Sequence, residues 1–133
     1  MERLRERLTL ADHALKTLEE VLKINKPTAI ERDASIQRFE YTFEVVWKAV
    51  KQYLYDIEGL DIASPKGVVR TCREIGILND EETIKALKMI DDRNLTVHTY
   101  NESLAKEILK RLPNHMSLMK NWLKEVNTRI SND

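Results

Sequence analysis

Seven apolar residues decide the architecture of the middle of this chain. Ile36, Phe39, Phe43, Val46, Val50, Tyr53 and Ile57 follow one another at alternating steps of three and four. That spacing marks one face of a helix. A half-buried strand hides alternate residues and cannot use it. A helix of this length is marginal in water until its apolar stripe is covered. The pattern therefore demands partner helices, and the rest of the sequence supplies them.

Leu4, Leu8, Ala11, Leu15, Leu18 and Leu22 form an equivalent stripe, which stops at Asn25-Lys26-Pro27 because a residue before proline avoids the α region. The aromatic-rich helix is expected from near Thr28 to Gly59. Ser64-Pro65 reads as a cap followed by proline in the first helical position, opening a short helix that closes at Gly76. Asn79 or Asp80 caps a fourth helix, with Glu81 and Glu82 in the first turn, where the helix dipole favours negative charge. Ile84, Leu87 and Ile90 or Met89 are expected to form its apolar face, and it should fade near His98–Tyr100.

The last segment is expected to begin around Thr99 to Asn101, and Thr99 and Glu102 have capping-box spacing. There Leu104, Ile108 and Leu112 lead to Pro113, after which Met116, Met119, Leu123, Val126 and Ile130 resume the same step. Pro113 predicts a kink or a brief break. The sum is an all-α fold, an antiparallel up-and-down bundle of four to five helices, as one domain over residues 1–133.

Composition narrows the function. Glycine and proline number three each and a third of the residues are charged, which disfavours an all-β fold. Acidic and basic residues balance at 22 each, so no overall field draws the chain to nucleic acid or to a membrane. Any basic surface has to be local. Cys72 is the only cysteine, which rules out an internal disulfide and suits a reducing compartment. No uncharged apolar run approaches the ~20 residues that span a bilayer. The start, MERLRERLTL, lacks the apolar stretch of a signal peptide. These features predict a soluble, cytoplasmic protein with no membrane partner.

One stretch stands apart from the helical background. RNLTVHTY, residues 93–100, gathers arginine, histidine and tyrosine at the end of the fourth helix. Asn94 and His98 share a helical face, whereas Arg93, His98 and Tyr100 point to different sides of a regular helix. They converge only if the helix breaks here or if a second subunit brings its own copy. Thr96 and Val97 are weak helix formers, in keeping with an end. The residue types suit RNA cleavage without a metal or cofactor. Histidine would take the proton of a ribose 2′-hydroxyl, and arginine would stabilise charge on the attacked phosphate. Set against this is the ordinary role of cations at a helix end, where they are solvated or cap carbonyls.

Arg93-Asn94-Leu95-Thr96-Val97-His98 resembles the R-N-x-x-x-H signature of HEPN domains, and with Tyr100 the narrower R-x4-H-x-Y form of HepT toxins. These are grouped with nucleotidyltransferase substrate-binding proteins, which pair with a minimal nucleotidyltransferase. Residues 35–54 resemble that family's aromatic helix and residues 64–78 its Ser-Pro-led short helix. The resemblance implies a homodimer formed through the bundle, with both motifs lining a shared cleft. It implies a toxin of a toxin–antitoxin pair, a ribonuclease with RNA as substrate, with Arg93 and His98 catalytic and Asn94 in support. It implies neutralisation by the partner enzyme, which transfers AMP from ATP to Tyr100. The alternative within the same family is a non-catalytic subunit that binds substrate or nucleotide for the nucleotidyltransferase.

Other residues carry simpler expectations. Lys66, Arg70 and Arg73 share one face of the short helix, and Lys106, Lys110 and Arg111 cluster on the last, as RNA-guiding candidates or solvated faces. Phe39, Phe43 and Trp47 are expected in the core or a dimer contact rather than stacking on bases. Asp91 and Asp92 are expected to pair with Arg93 or orient it, in support of the site, rather than bind metal. His13 and His115 are expected at the surface or an interface. Arg73 could lower the Cys72 pKa, although a structural role is the default.

Overall fold

A computed structural model of the chain describes residues 1–132. Five α-helices lie among the described residues: α1 (Glu2–Leu22), α2 (Ala29–Asp56), α3 (Pro65–Glu74), α4 (Asp80–Leu95) and α5 (Glu102–Ser131). One 3-10 turn, Thr96–His98, separates α4 from α5. The all-α expectation holds, and no described helix is long and apolar enough to cross a membrane.

Cross-helix contacts give the directions. Arg7 reaches the Lys48 carbonyl, Thr42 bonds the Ala14 carbonyl and Arg38 bonds the Thr17 carbonyl, so α1 and α2 are antiparallel. Asp92 meets Arg111 and His115, which starts α4 and α5 as an antiparallel pair across the 3-10 turn. Helices α1, α2 and α5 share the core, and the α3–α4 pair closes over it. The α2 stripe is buried from Ile36 to Leu54, with Phe39, Val46 and Val50 fully enclosed. Opposite it lie Leu4 and Leu18 of α1 and Ile108, Leu112, Met119 and Trp122 of α5. Trp47 and Phe43 belong to this core, as expected, and are unavailable for stacking on bases.

The start signals act locally. Thr28 and Glu31 form a reciprocal capping box on α2, as do Asn79 and Glu82 on α4. Ser64 Oγ accepts from the Gly67 amide, and Pro65 opens α3. Gly76 adopts φ 82°, the left-handed turn that lets the Ile77 and Leu78 amides return to the Cys72 carbonyl.

Three local expectations change. Ile84 is exposed, because α4 buries Thr83, Ala86, Met89 and Ile90 instead. The cap of α5 is Asn101, whose side chain accepts from the Leu104 amide, not Thr99. Pro113 lies inside one continuous helix, so of the kink or break expected the break is absent. Proline has no amide hydrogen and so leaves the Leu109 carbonyl without its usual partner. Packing holds that turn, since Leu112 is fully buried and Arg111 and His115, on either side of the proline, grip the same carboxylate.

Candidate functional site

The corner after α4 is built by two threonines. The Thr96 hydroxyl donates to the Arg93 carbonyl at 2.6 Å, and the Thr99 hydroxyl donates to the Thr96 carbonyl at 2.8 Å. Each adds a second donor to a carbonyl that also accepts a backbone amide of the turn. The chain tightens into the 3-10 turn and then delivers Asn101 to start α5. A helix break, one of the two routes by which the motif side chains could converge, is therefore present between Arg93 and His98.

The break does not bring the three motif side chains to one point. Arg93 Nη1 donates to Thr96 Oγ1 at 3.2 Å and lies 3.9 Å from Glu40 on α2. Its Nε is buried with no partner among the described residues. His98 and Tyr100 turn outward together. The phenol oxygen is 3.4 Å from His98 Nδ1, and the rings meet edge to face with centroids 6.0 Å apart. Tyr100 is 85% exposed and Val97 65%, beside a half-exposed Leu95. Asn94 is exposed as well. The corner thus presents a phenol, an imidazole and two apolar side chains to solvent, with a partly buried guanidinium behind them.

Asp92 has a different role from the one its position beside Arg93 suggests. It is 6% exposed and accepts from Arg111 Nε at 2.8 Å, Arg111 Nη2 at 2.9 Å and His115 Nε2 at 2.7 Å. Asp91 pairs with Lys66, and the carboxylate facing Arg93 is Glu40. Burial pushes the Asp92 carboxyl upward, but hydrogen bonds from Arg111 and His115, with their charges, outweigh it and hold the carboxyl below its ordinary range. His115 is not a surface residue: it is buried and stacks on Phe39 at 5.5 Å. This three-helix knot fixes the last turn of α4 just before the corner. It also floors a groove of about 680 Å³ lined by Lys88, Asn114 and Ser117. The sequence carried a signal for it. Ile108, Leu112, His115 and Met119 step by four, three and four, which puts His115 on the buried stripe in place of Met116.

The basic clusters are largely neutralised. Lys66 pairs with Asp91 and Arg73 with Asp80, leaving Arg70 exposed between them. Lys106 pairs with Glu102 and Lys110 with Glu107. No group of three His, Cys, Asp or Glu residues among the described ones is arranged to hold a metal. Cys72 is fully buried, and burial pushes its thiol up to about 11. Arg73 does not activate it. A maleimide is expected to leave Cys72 unlabelled in the native protein and to label it fully in denaturant, read by intact mass. Fast native labelling would show that α3 opens.

Comparison with known proteins follows the fold. Residues 6–128 match the family described as nucleotidyltransferase substrate binding protein like. A Thermus thermophilus protein of known crystal structure is 56% identical, with a TM-score of 0.84 over 87% of this chain and 98% of that one. A Haemophilus influenzae structure, described as revealing the fold of a substrate binding domain of a nucleotidyltransferase, is 22% identical, with a TM-score of 0.76 over 90% of this chain and 98% of that one. At that identity the likeness carries the fold. No curated protein sequence matches.

Proposed function

This chain belongs to the nucleotidyltransferase substrate binding protein like family, and from that premise we propose that it is the helical partner subunit of a nucleotidyltransferase. The two meet at the 93–100 corner. The observation that carries this is the exposure of Val97 and Tyr100, 65% and 85%, around a histidine on a chain whose other large side chains mostly pack inward. Exposed aromatic and apolar groups clustered in this way are the usual centre of a protein contact. In this reading Tyr100 is what the subunit offers the enzyme. AMP from ATP passes to its phenol, adding bulk and negative charge to the corner beside His98. The chain acts as one domain and as a homodimer, each copy presenting one corner. The test combines the chain, the partner nucleotidyltransferase and ATP, then maps adduct mass to peptides. One adenylyl adduct on Tyr100, absent from Tyr100→Phe, is expected; an unmodified Tyr100 after full incubation overturns the acceptor role.

A second reading has its own support. The helix break falls between Arg93 and His98, the two residues of an R-x4-H-x-Y ribonuclease of the HEPN type. Across a dimer, Arg93 of one copy and His98 of the other would address one RNA phosphate, and AMP on Tyr100 would be the off state. Cleavage of RNA in EDTA, lost in Arg93→Ala and His98→Ala with helicity intact, is the expected result. Equal behaviour of wild type and His98→Ala on RNA removes this reading and leaves the partner-subunit role standing.

A further inference from the structure

The contact between His98 and Tyr100 gives the corner a chemistry of its own. Of the four tyrosines, Tyr53 is buried, and Tyr41 and Tyr55 are 50% and 58% exposed. The most exposed of them, Tyr100, has a histidine ring nitrogen 3.4 Å from its oxygen. The two rings also meet edge to face, at 78°, an arrangement that favours this pairing on the turn. With hydrogen on Nε2, Nδ1 presents a lone pair to the phenol hydrogen. A phenol so paired can attack an electrophile while passing its proton directly to the imidazole, which avoids forming a free phenolate.

We propose that Tyr100 is a nucleophile primed by His98, with Nδ1 of His98 receiving the phenol proton as the oxygen attacks. The proposal deepens the acceptor reading above and rests on it for its biological use. In nucleotidyl transfer, the phenol oxygen bonds the α-phosphorus of a nucleoside triphosphate. The bond from that phosphorus to the bridging oxygen of the β-phosphate breaks, and pyrophosphate leaves with the electron pair. The proton moves from Tyr100 to His98 and then to water. His98 thus serves the modification of the chain directly, and a His98 variant would be poorly modified.

The test needs no partner. The whole protein is treated with an adenosine carrying a 5′-(fluorosulfonyl)benzoyl group. The phenol oxygen then bonds sulfur, the sulfur–fluorine bond breaks and fluoride leaves. Labelling rates at Tyr41, Tyr55 and Tyr100 are followed by peptide mass mapping. Exposure alone allows Tyr100 less than a twofold advantage over its neighbours. Priming predicts an advantage of at least about tenfold, a threshold set below the ~10²–10⁴-fold typical of general-base effects. His98→Ala is expected to bring Tyr100 down to the level of Tyr41 and Tyr55, and free imidazole in the buffer to restore part of the excess. His98→Gln, which can hydrogen-bond but not take up a proton, is expected to behave like His98→Ala. Equal labelling at the three tyrosines, or full retention of the excess in His98→Ala or His98→Gln, overturns the proposal. Unchanged rates at Tyr41 and Tyr55 show in each variant that the fold is kept. The adduct map with the partner enzyme decides the acceptor reading separately, so the two failures are told apart.

Discussion

Asp92→Ala is expected to cost about 3 kcal/mol of folding stability, among the largest effects of any single substitution outside the apolar core. The carboxylate is buried and takes three donors from α5, and its removal leaves His115 enclosed against Phe39 without its acceptor. Arg111 is 42% exposed and can turn to water, which places the loss at the lower end for a broken buried pair. The knot also bridges the turn that Pro113 weakens, so the loss falls on α4 and α5 together. The Asp92 carboxyl is held below its ordinary range, so its contribution is complete above the unfolded-state pKa of about 3.9 and disappears as pH falls through the lower folded value. Urea titrations of both proteins should therefore differ strongly near neutral pH and converge in acid. A difference that stays small near neutral pH would contradict the knot.

Val97→Asp is expected to leave stability unchanged and to weaken association with the nucleotidyltransferase about 30-fold or more, the cost of about 2 kcal/mol for a disrupted contact centre. Val97 is 65% exposed, and no core residue depends on it. Titration calorimetry against the partner, with thermal melts of the free chain as control, measures both. Wild-type affinity in Val97→Asp would place the contact elsewhere, for example on the groove that Leu8, Asp12 and Leu123 line between α1 and α5.

What could be read in advance depended on whether the determinant was local. The stripes of α1 and α2, the Ser64-Pro65 start and the Asn79 cap were legible because each is settled within a few residues. The stop after α4 was legible too, although its agents are the Thr96 and Thr99 hydroxyls rather than weak propensity alone. Ile84 was misplaced because α4 is short and polar, so its inward face is chosen by contact with α3 and α5 rather than by its own pattern. Asp92 was assigned to its neighbour Arg93, whereas its partners lie 19 and 23 residues away and meet it only after α5 folds back. Of the kink or break that Pro113 suggested, the break is absent, because burial of the surrounding turn holds the helix together. At the candidate site, spacing showed that one straight helix cannot focus Arg93, His98 and Tyr100. The pairing of His98 with Tyr100, and the turn of Arg93 toward Glu40, depend on side-chain directions that spacing does not encode.

In the function proposed above, the 93–100 corner is the surface this subunit offers to a nucleotidyltransferase. Amide hydrogen exchange of the chain, alone and with the partner enzyme, addresses it most directly. The corner has few helical hydrogen bonds of its own and should exchange quickly when free. Binding is expected to slow exchange over residues 95–101, with the outer face of α1 unchanged. Undiminished exchange at the corner, with protection appearing along α1 and the end of α5 instead, would contradict it.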